Sequence, residues 1–160
     1  MVKDTAGARD LAEAVNCSGG TFNVEWLGFV VVDVSIAVRQ GSALNITGVD
    51  ADASVDGDGT TQLFLVSEAS MNLSNIQLTN GADGYGSAAV YAVSSTLVLQ
   101  NTAFQGHSDG AMHVDDSVVS FRGETVMNDN FNDGPGAGIY ITGQTSVVSW
   151  SGVSTFFNNT

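Results

Sequence analysis

The sequence predicts an all-β fold, a right-handed parallel β-helix: a three-sided solenoid of about five coils with a short N-terminal capping helix. Three observations predict it. From about residue 60 the chain falls into four blocks that begin alike, each block holds three short stretches of period-2 alternation, and equivalent positions recur every 22 to 29 residues (Leu73, Leu99, Phe121, Trp150). A helical repeat does not alternate with period 2, and no Asn-Gly or Asp-Gly pair sits regularly between neighbouring stretches as hairpins require. The 160 residues read as one domain, with 1–20 an N-terminal cap, 21–59 lead-in coils and 60–160 regular coils.

Taken in order, Ala8-Arg9-Asp10-Leu11-Ala12-Glu13-Ala14-Val15 places Leu11, Ala14 and Val15 at helical spacing, and a helix there covers the strand edges of the first coil. Phe22, Val24 and Trp26 then alternate, followed by Val30 to Val32, Ile36/Val38 and Leu44/Ile46. The regular blocks open at Thr61–Val66, Ser87–Ala92, Gly110–Val114 and Ala137–Ile141. Their second stretches predict two inward columns, Met71/Leu97/Val119/Val148 and Leu73/Leu99/Phe121/Trp150, and their third stretches predict Leu78/Phe104/Met127/Phe156. Each such side chain contributes roughly 1.5–3 kcal/mol when buried, which a stack of coils achieves and a single coil does not. The chain stops at Phe156-Phe157-Asn158-Asn159-Thr160 without a polar cap, so the expectation is a fragment of a longer protein or an end-to-end assembly.

Composition narrows the function. Seventeen acids against four bases give a formal net charge of −13, and 19 glycines accompany a single proline. Four scattered bases cannot track a phosphate backbone, so nucleic acid is not an expected partner, and anionic membranes and polyuronates are repelled. No apolar run reaches the length of a membrane span, and Met1-Val2-Lys3-Asp4 leads into a polar segment as in a mature or trimmed chain. Cys17 is the only cysteine; it forms no intrachain disulfide and is expected to be a small buried hydrophobe.

Gly136-Ala137-Gly138-Ile139-Tyr140-Ile141 and Phe156-Phe157-Asn158-Asn159 resemble the Gly-Gly-Ala-Ile and Phe-x-x-Asn signatures of polymorphic outer membrane protein repeats, a branch of the pectin-lyase-like β-helices. Asp109-Gly110-Ala111-Met112 and Phe104-Gln105-Gly106-His107 are degenerate versions, and the likeness covers about residues 60–160. The resemblance implies an extracellular or cell-surface protein, often adhesive; the barrel that anchors autotransporters is not in this sequence.

Candidate sites follow from the residues. Asp50, Asp52, Asp56 and Asp58 alternate in a glycine-containing loop and offer hard oxygens to Ca²⁺, although Val55 and Thr61 stand where an EF-hand loop has Gly and Glu. The plainer reading is a solvated acidic turn, and the same pair of readings applies to Asn128–Pro135. Ca²⁺ is the only cofactor that comes into question. Pectin-lyase-like catalysis needs a base beside clustered carboxylates, whereas Arg122 faces outward with Ser74, Gln100 and Ser151 in its column. Asp115 and Asp116 fall in a turn, and His107 and His113 on different faces. His107 takes the position of Asn130 and Asn159 and is expected to satisfy backbone groups there. No catalytic residues are assigned.

Phe64, Tyr91, His113 and Tyr140 are expected as an outward column about 4.8 Å apart, either a binding surface for a neutral sugar or a protein, or a stack that stiffens the sheet. Sequons at Asn16, Asn45, Asn72 and Asn158 would carry glycans in a secreted eukaryotic protein. A threonine ladder for ice binding is missing, because the outward columns are mixed. The reading is therefore an extracellular adhesive or structural β-helix module, a filament subunit or a fragment of a surface protein, whose partners are copies of itself end to end or surface glycans and proteins. A carbohydrate-binding or carbohydrate-active β-helix is the alternative.

Overall fold

A computed structural model describes residues 1–17, 19–82, 89–134 and 136–160. The predicted block start at Ser87-Ala88 lies outside the described residues. Among those described are one helix, α1 (Thr5–Cys17), and thirteen strands: β1 (Thr21–Trp26), β2 (Phe29–Val31), β3 (Ile36–Val38), β4 (Ala43–Gly48), β5 (Ser54–Asp56), β6 (Phe64–Ser67), β7 (Ser70–Thr79), β8 (Val90–Val93), β9 (Thr96–Gln105), β10 (Met112–Asp115), β11 (Val118–Asn128), β12 (Ile139–Thr142) and β13 (Val147–Phe157). The strands form a parallel β-solenoid of about five turns. A large sheet runs β1-β4-β7-β9-β11-β13, with β2 and β5 beside it, and a small sheet runs β3-β6-β8-β10-β12.

The expected columns are in register. Leu44, Met71, Leu97, Val119 and Val148 pair in succession, as do Ile46, Leu73, Leu99, Phe121 and Trp150. Val55, Leu78, Phe104, Met127 and Phe156 form the third column. Side chains two residues apart point the same way along a strand, so a period-2 sequence in every coil yields a continuous apolar interior.

Two features differ from the expectation. Residues 21–59 are no irregular lead-in: β1 pairs with β4 from Thr21↔Ala43 to Trp26↔Gly48, and β4 with β7, in the same parallel register as the later coils. Their strands are shorter, which hid the repeat. The second and third faces also run together from β7 onward in single long strands. These bend at Asn75 (φ 53°), Asn101 (φ 50°) and Gly123 (φ 67°), left-handed conformations that Asn and Gly adopt most readily. At the bend Asn101 Nδ2 donates to Asn75 Oδ1 (2.9 Å), and Glu124 N donates to Asn101 Oδ1 (3.1 Å). A Cβ on Gly123 would lie 2.1 Å from Asn101 Oδ1, so asparagine gives way to glycine there.

The helix closes the first coil. Its buried residues Ala8, Leu11, Ala12 and Val15 join the core, and it packs on β2 and β3. Asp4 caps it by accepting from Gly7 N at 2.9 Å. Thr5 Oγ1 donates to Val31 O (2.8 Å), Arg39 Nε donates to Asn16 Oδ1 (2.7 Å), and Arg9 pairs with Asp33, so the cap is tied along its length. Cys17 is exposed rather than buried, because the inward stripe ends at Val15 and position 17 turns about 200° away from it.

Candidate functional site

The outer face of the small sheet carries the ring column. Its register is Ala37, Leu65, Tyr91, His113, Tyr140, so Leu65 and not Phe64 is the outward residue of its coil. Phe64 pairs with Ile36 and Val90 and is fully buried. The parity of the strand decides this: Phe64 and Val66 flank Leu65 and face the core together. Tyr91, His113 and Tyr140 stack with ring centroids 4.8 and 4.7 Å apart and tilts of 31° and 45°. Each ring covers a face of its neighbour, which leaves mainly edges and polar tips toward solvent. Burial raises the Tyr91 hydroxyl above its ordinary range, and the Asp115 carboxylate adds to this.

Two further residues belong to this surface. His113 Nε2 lies 2.8 Å from Thr142 Oγ1, and that hydroxyl donates to Asp115 Oδ1 at 3.0 Å. Asp115 sits two residues beyond His113 on the same outward side of β10, and Thr142 pairs with Asp115 from the next coil. The signal was available in the sequence, since His113-x-Asp115 alternates and the block spacing aligns Asp115 with Thr142. Asp116 lies outside the cluster, in the turn. The Thr145 N–H and hydroxyl both donate to its Oδ1 at 3.1 Å and hold that carboxyl below the usual range.

The acidic loop is dispersed. Asp50 accepts from Gly28 N at 3.2 and 3.0 Å. Asp56 ends β5, is buried, and accepts from Thr79 Oγ1 (2.7 Å), Asn80 Nδ2 (2.6 Å) and Asp58 N (2.7 Å). Asp52 stands before β5 and Asp58 in the turn after it, at φ 51°. The intervening strand keeps the four from gathering, and among the described residues no three His, Cys, Asp or Glu side chains come together as a metal site would need. The Asn128–Pro135 segment is likewise divided. Asn128 Nδ2 donates to Asp129 Oδ2, Asn132 Oδ1 accepts from Gly134 N, and Pro135 lies outside the described residues.

His107 stands where expected, buried at the corner after the third column, while His113 is on the outer face. His107 Nδ1 accepts from Gly81 N at 3.0 Å, which places the ring proton on Nε2, 3.0 Å from Leu78 O. Burial pushes the imidazole down to about 4. Of the sequon asparagines, Asn45 Nδ2 donates to Asn23 Oδ1 (2.8 Å) and Asn72 Nδ2 to Asn45 Oδ1 (2.5 Å), a surface ladder on the second face. Asn16 accepts from Arg39, and Asn158 Nδ2 donates to Asp129 Oδ1 at 3.2 Å; Ser18 of the first sequon is outside the described residues. Arg122 is exposed and pairs in register with Gln100 and Ser151.

The last coil is open. Ile141, Trp150 and Phe156 belong to inward columns yet are 48%, 44% and 47% exposed, while Val114, Phe121 and Met127, one coil below, are at most 1% exposed. Gly138, Ile139, Trp150, Phe156 and Phe157 line a cavity of about 520 Å³ at this end. Comparison of the chain with protein-family models, with curated proteins and with solved structures found no match in any of the three.

Proposed function

We propose that the chain is a structural and adhesive β-helix module that acts outside the cell or at its surface. The observation that carries this reading is the direction of its polar contacts. Asp56, His107, Asn130, Ser95 and Asp116 each hydrogen-bond to a neighbouring coil, along the axis, and the five do not converge on one point in space. Such contacts stiffen a rod and leave its flat outer faces to meet a partner. The Tyr91/His113/Tyr140 edges and the Thr142 and Asp115 oxygens supply hydrogen bonds and apolar area for surface glycans or proteins. The likeness of Gly136–Ile141 and Phe156–Asn159 to polymorphic outer membrane protein repeats points the same way, as do the sequons for a secreted glycoprotein.

The test is the double variant Tyr91→Ser/Tyr140→Ser, compared with the natural chain on a glycan array and in binding to intact cells. Unchanged melting with lost binding supports adhesion through this face. A lower melting temperature with binding intact assigns the rings to stiffening alone.

A carbohydrate-binding or carbohydrate-active module of pectin-lyase type has one observation in its favour. Asp52, Gln77, Asn80, Gln105 and Asp129, together with Phe29, line a groove of about 660 Å³ on the third face, wide enough for a sugar. Loss of array binding in Gln77→Ala/Gln105→Ala, with the tyrosine variant unaffected, would favour it.

A further inference from the structure

We infer that Asn80-Gly81 is a site of one-way chemical modification, latched by the His107 corner. While the imidazole holds the Gly81 amide, the asparagine persists. Release of the corner converts it to aspartate or isoaspartate, which no longer fits. This holds whether or not the outer faces meet a partner.

Of the chain's asparagines only Asn80 precedes a glycine. Glycine has no Cβ to shield its nitrogen or restrict its backbone, so asparagine is lost most readily in this pairing. The Gly81 nitrogen gives up its proton and bonds to Asn80 Cγ, and Nδ2 leaves as ammonia. Water then opens the cyclic imide at either carbonyl. One product is aspartate; the other is isoaspartate, in which the main chain runs through Cγ. The sum is amide plus water to acid plus ammonia.

In the folded chain both reacting groups are occupied. Gly81 N donates to His107 Nδ1 at 3.0 Å, and Asn80 Nδ2 donates to Asp56 Oδ2 at 2.6 Å. Backbone bonds fix the segment from both sides. On one coil Asn80 N donates to Gln105 O and Ser108 N to Gly81 O; on the other Gly59 N donates to Asn80 O and Ala82 N to Thr61 O. Gly81 is buried. A Cβ on Gly106 would lie 2.9 Å from Asn80 Oδ1, and one on Gly57 2.9 Å from Gly81 Cα, so both residues are packed against adjacent coils. Ring closure therefore waits for the corner to open.

The product does not fit back. A carboxylate at position 80 would face Asp56 across the 2.6 Å now spanned by a hydrogen bond. Like charges that close in a half-buried place repel. The isoaspartyl link lengthens the main chain by a carbon and carries Gly81 N away from His107 Nδ1.

The experiment is peptide mapping of the full chain by mass spectrometry, with enzymatic detection of isoaspartate, during incubation in mildly alkaline buffer. The chain is followed both folded and in urea. In urea Asn80 should convert as fast as in a free Asn-Gly peptide. In the folded chain it should convert slower by roughly 100-fold or more, in proportion to the time the corner is open. His107→Ala should speed conversion in the folded chain by about 10-fold or more, whereas His107→Asn, which can restore both bonds, should leave it within about twofold. Should His107→Ala fail to fold, amide exchange at Gly81 in the natural chain decides: its slowing should match that of conversion within about threefold. Asn80→Asp should melt below the natural chain. Equal conversion folded and in urea overturns the latch, as does a Gly81 amide that exchanges freely while Asn80 persists, or a folded His107→Ala chain that converts no faster. An Asn80→Asp chain that melts with the natural one overturns the one-way step.

Discussion

Asn130 Oδ1 accepts the backbone N–H of His107 at 3.1 Å, and its Nδ2 donates to Phe104 O at 3.2 Å. His107 makes the same two bonds one coil lower, to Gly81 N and Leu78 O, and Asn159 makes them one coil higher, to Asn130 N and Met127 O. One corner position is thus filled by His, Asn and Asn in turn, each stapling its coil to the one before.

His107→Asn should therefore fold and keep its stability near neutral pH within about 1 kcal/mol, since asparagine already does this work in the adjacent coils. It should also remove an acid sensitivity. The folded imidazole is held near 4 against an ordinary 6.5, so between those values the unfolded chain binds more protons. The natural chain then loses stability as pH falls from 6.5 toward 4, by about 3 kcal/mol for a shift of this size. Denaturant titrations of both chains from pH 7 to pH 4 check this; parallel pH profiles would contradict it.

Phe121→Ala and Trp150→Ala should differ in cost although the two rings stack in one column, 5.3 Å apart at 10°. Phe121 is 1% exposed and Trp150 44%. The first substitution opens an internal cavity and should cost about 3–5 kcal/mol; the second, at the open end, about 1–2 kcal/mol. Urea unfolding of the two variants measures both, and equal losses would argue against an open last coil.

Gly48→Ala should destabilise by about 1–3 kcal/mol. A Cβ there would meet Asn75 O at 2.0 Å and the Ala53 Cβ at 2.6 Å, both fixed in neighbouring structure. Gly19→Ala, with nothing within 4 Å of its Cβ, is the control and should leave the melting temperature almost unchanged.

Asp56→Ala should cost about 1–3 kcal/mol, because it strips an acceptor from Thr79, Asn80 and the Asp58 N–H at once. Calcium and EDTA should leave the melting temperature of the natural chain where it is, since Asp56 already satisfies protein donors. A calcium-dependent rise would return the loop to metal binding.

The interior was legible because it depends on parity and spacing alone. Leu73, Leu99, Phe121 and Trp150 declare a column at intervals that no hairpin or helix produces, and the Asn130/Asn159 corner identified the place of His107. The outward position of β6 lies one residue beyond Phe64, because a strand bounded by irregular turns fixes its parity only through partners such as Val66 and Ala92. Cys17 departs from the burial usual for free cysteine because the helical stripe that excludes it ends two residues earlier. The Asn23/Asn45/Asn72 ladder and the Asp115–Thr142–His113 contacts were hidden for another reason. Polar residues outside the core carry no hydropathy pattern, so their alignment appears only once the register is known.

The register itself is tested most directly by disulfide formation in a Cys17→Ser background. Val98→Cys with Ser120→Cys places the two thiols on directly paired positions of β9 and β11. Val98→Cys with Arg122→Cys offsets them by two residues, beyond the reach of an unstrained bridge. Peptide mapping after mild oxidation should find the first pair joined and the second free; bridging of the offset pair, or of neither, would contradict the stacked-coil account.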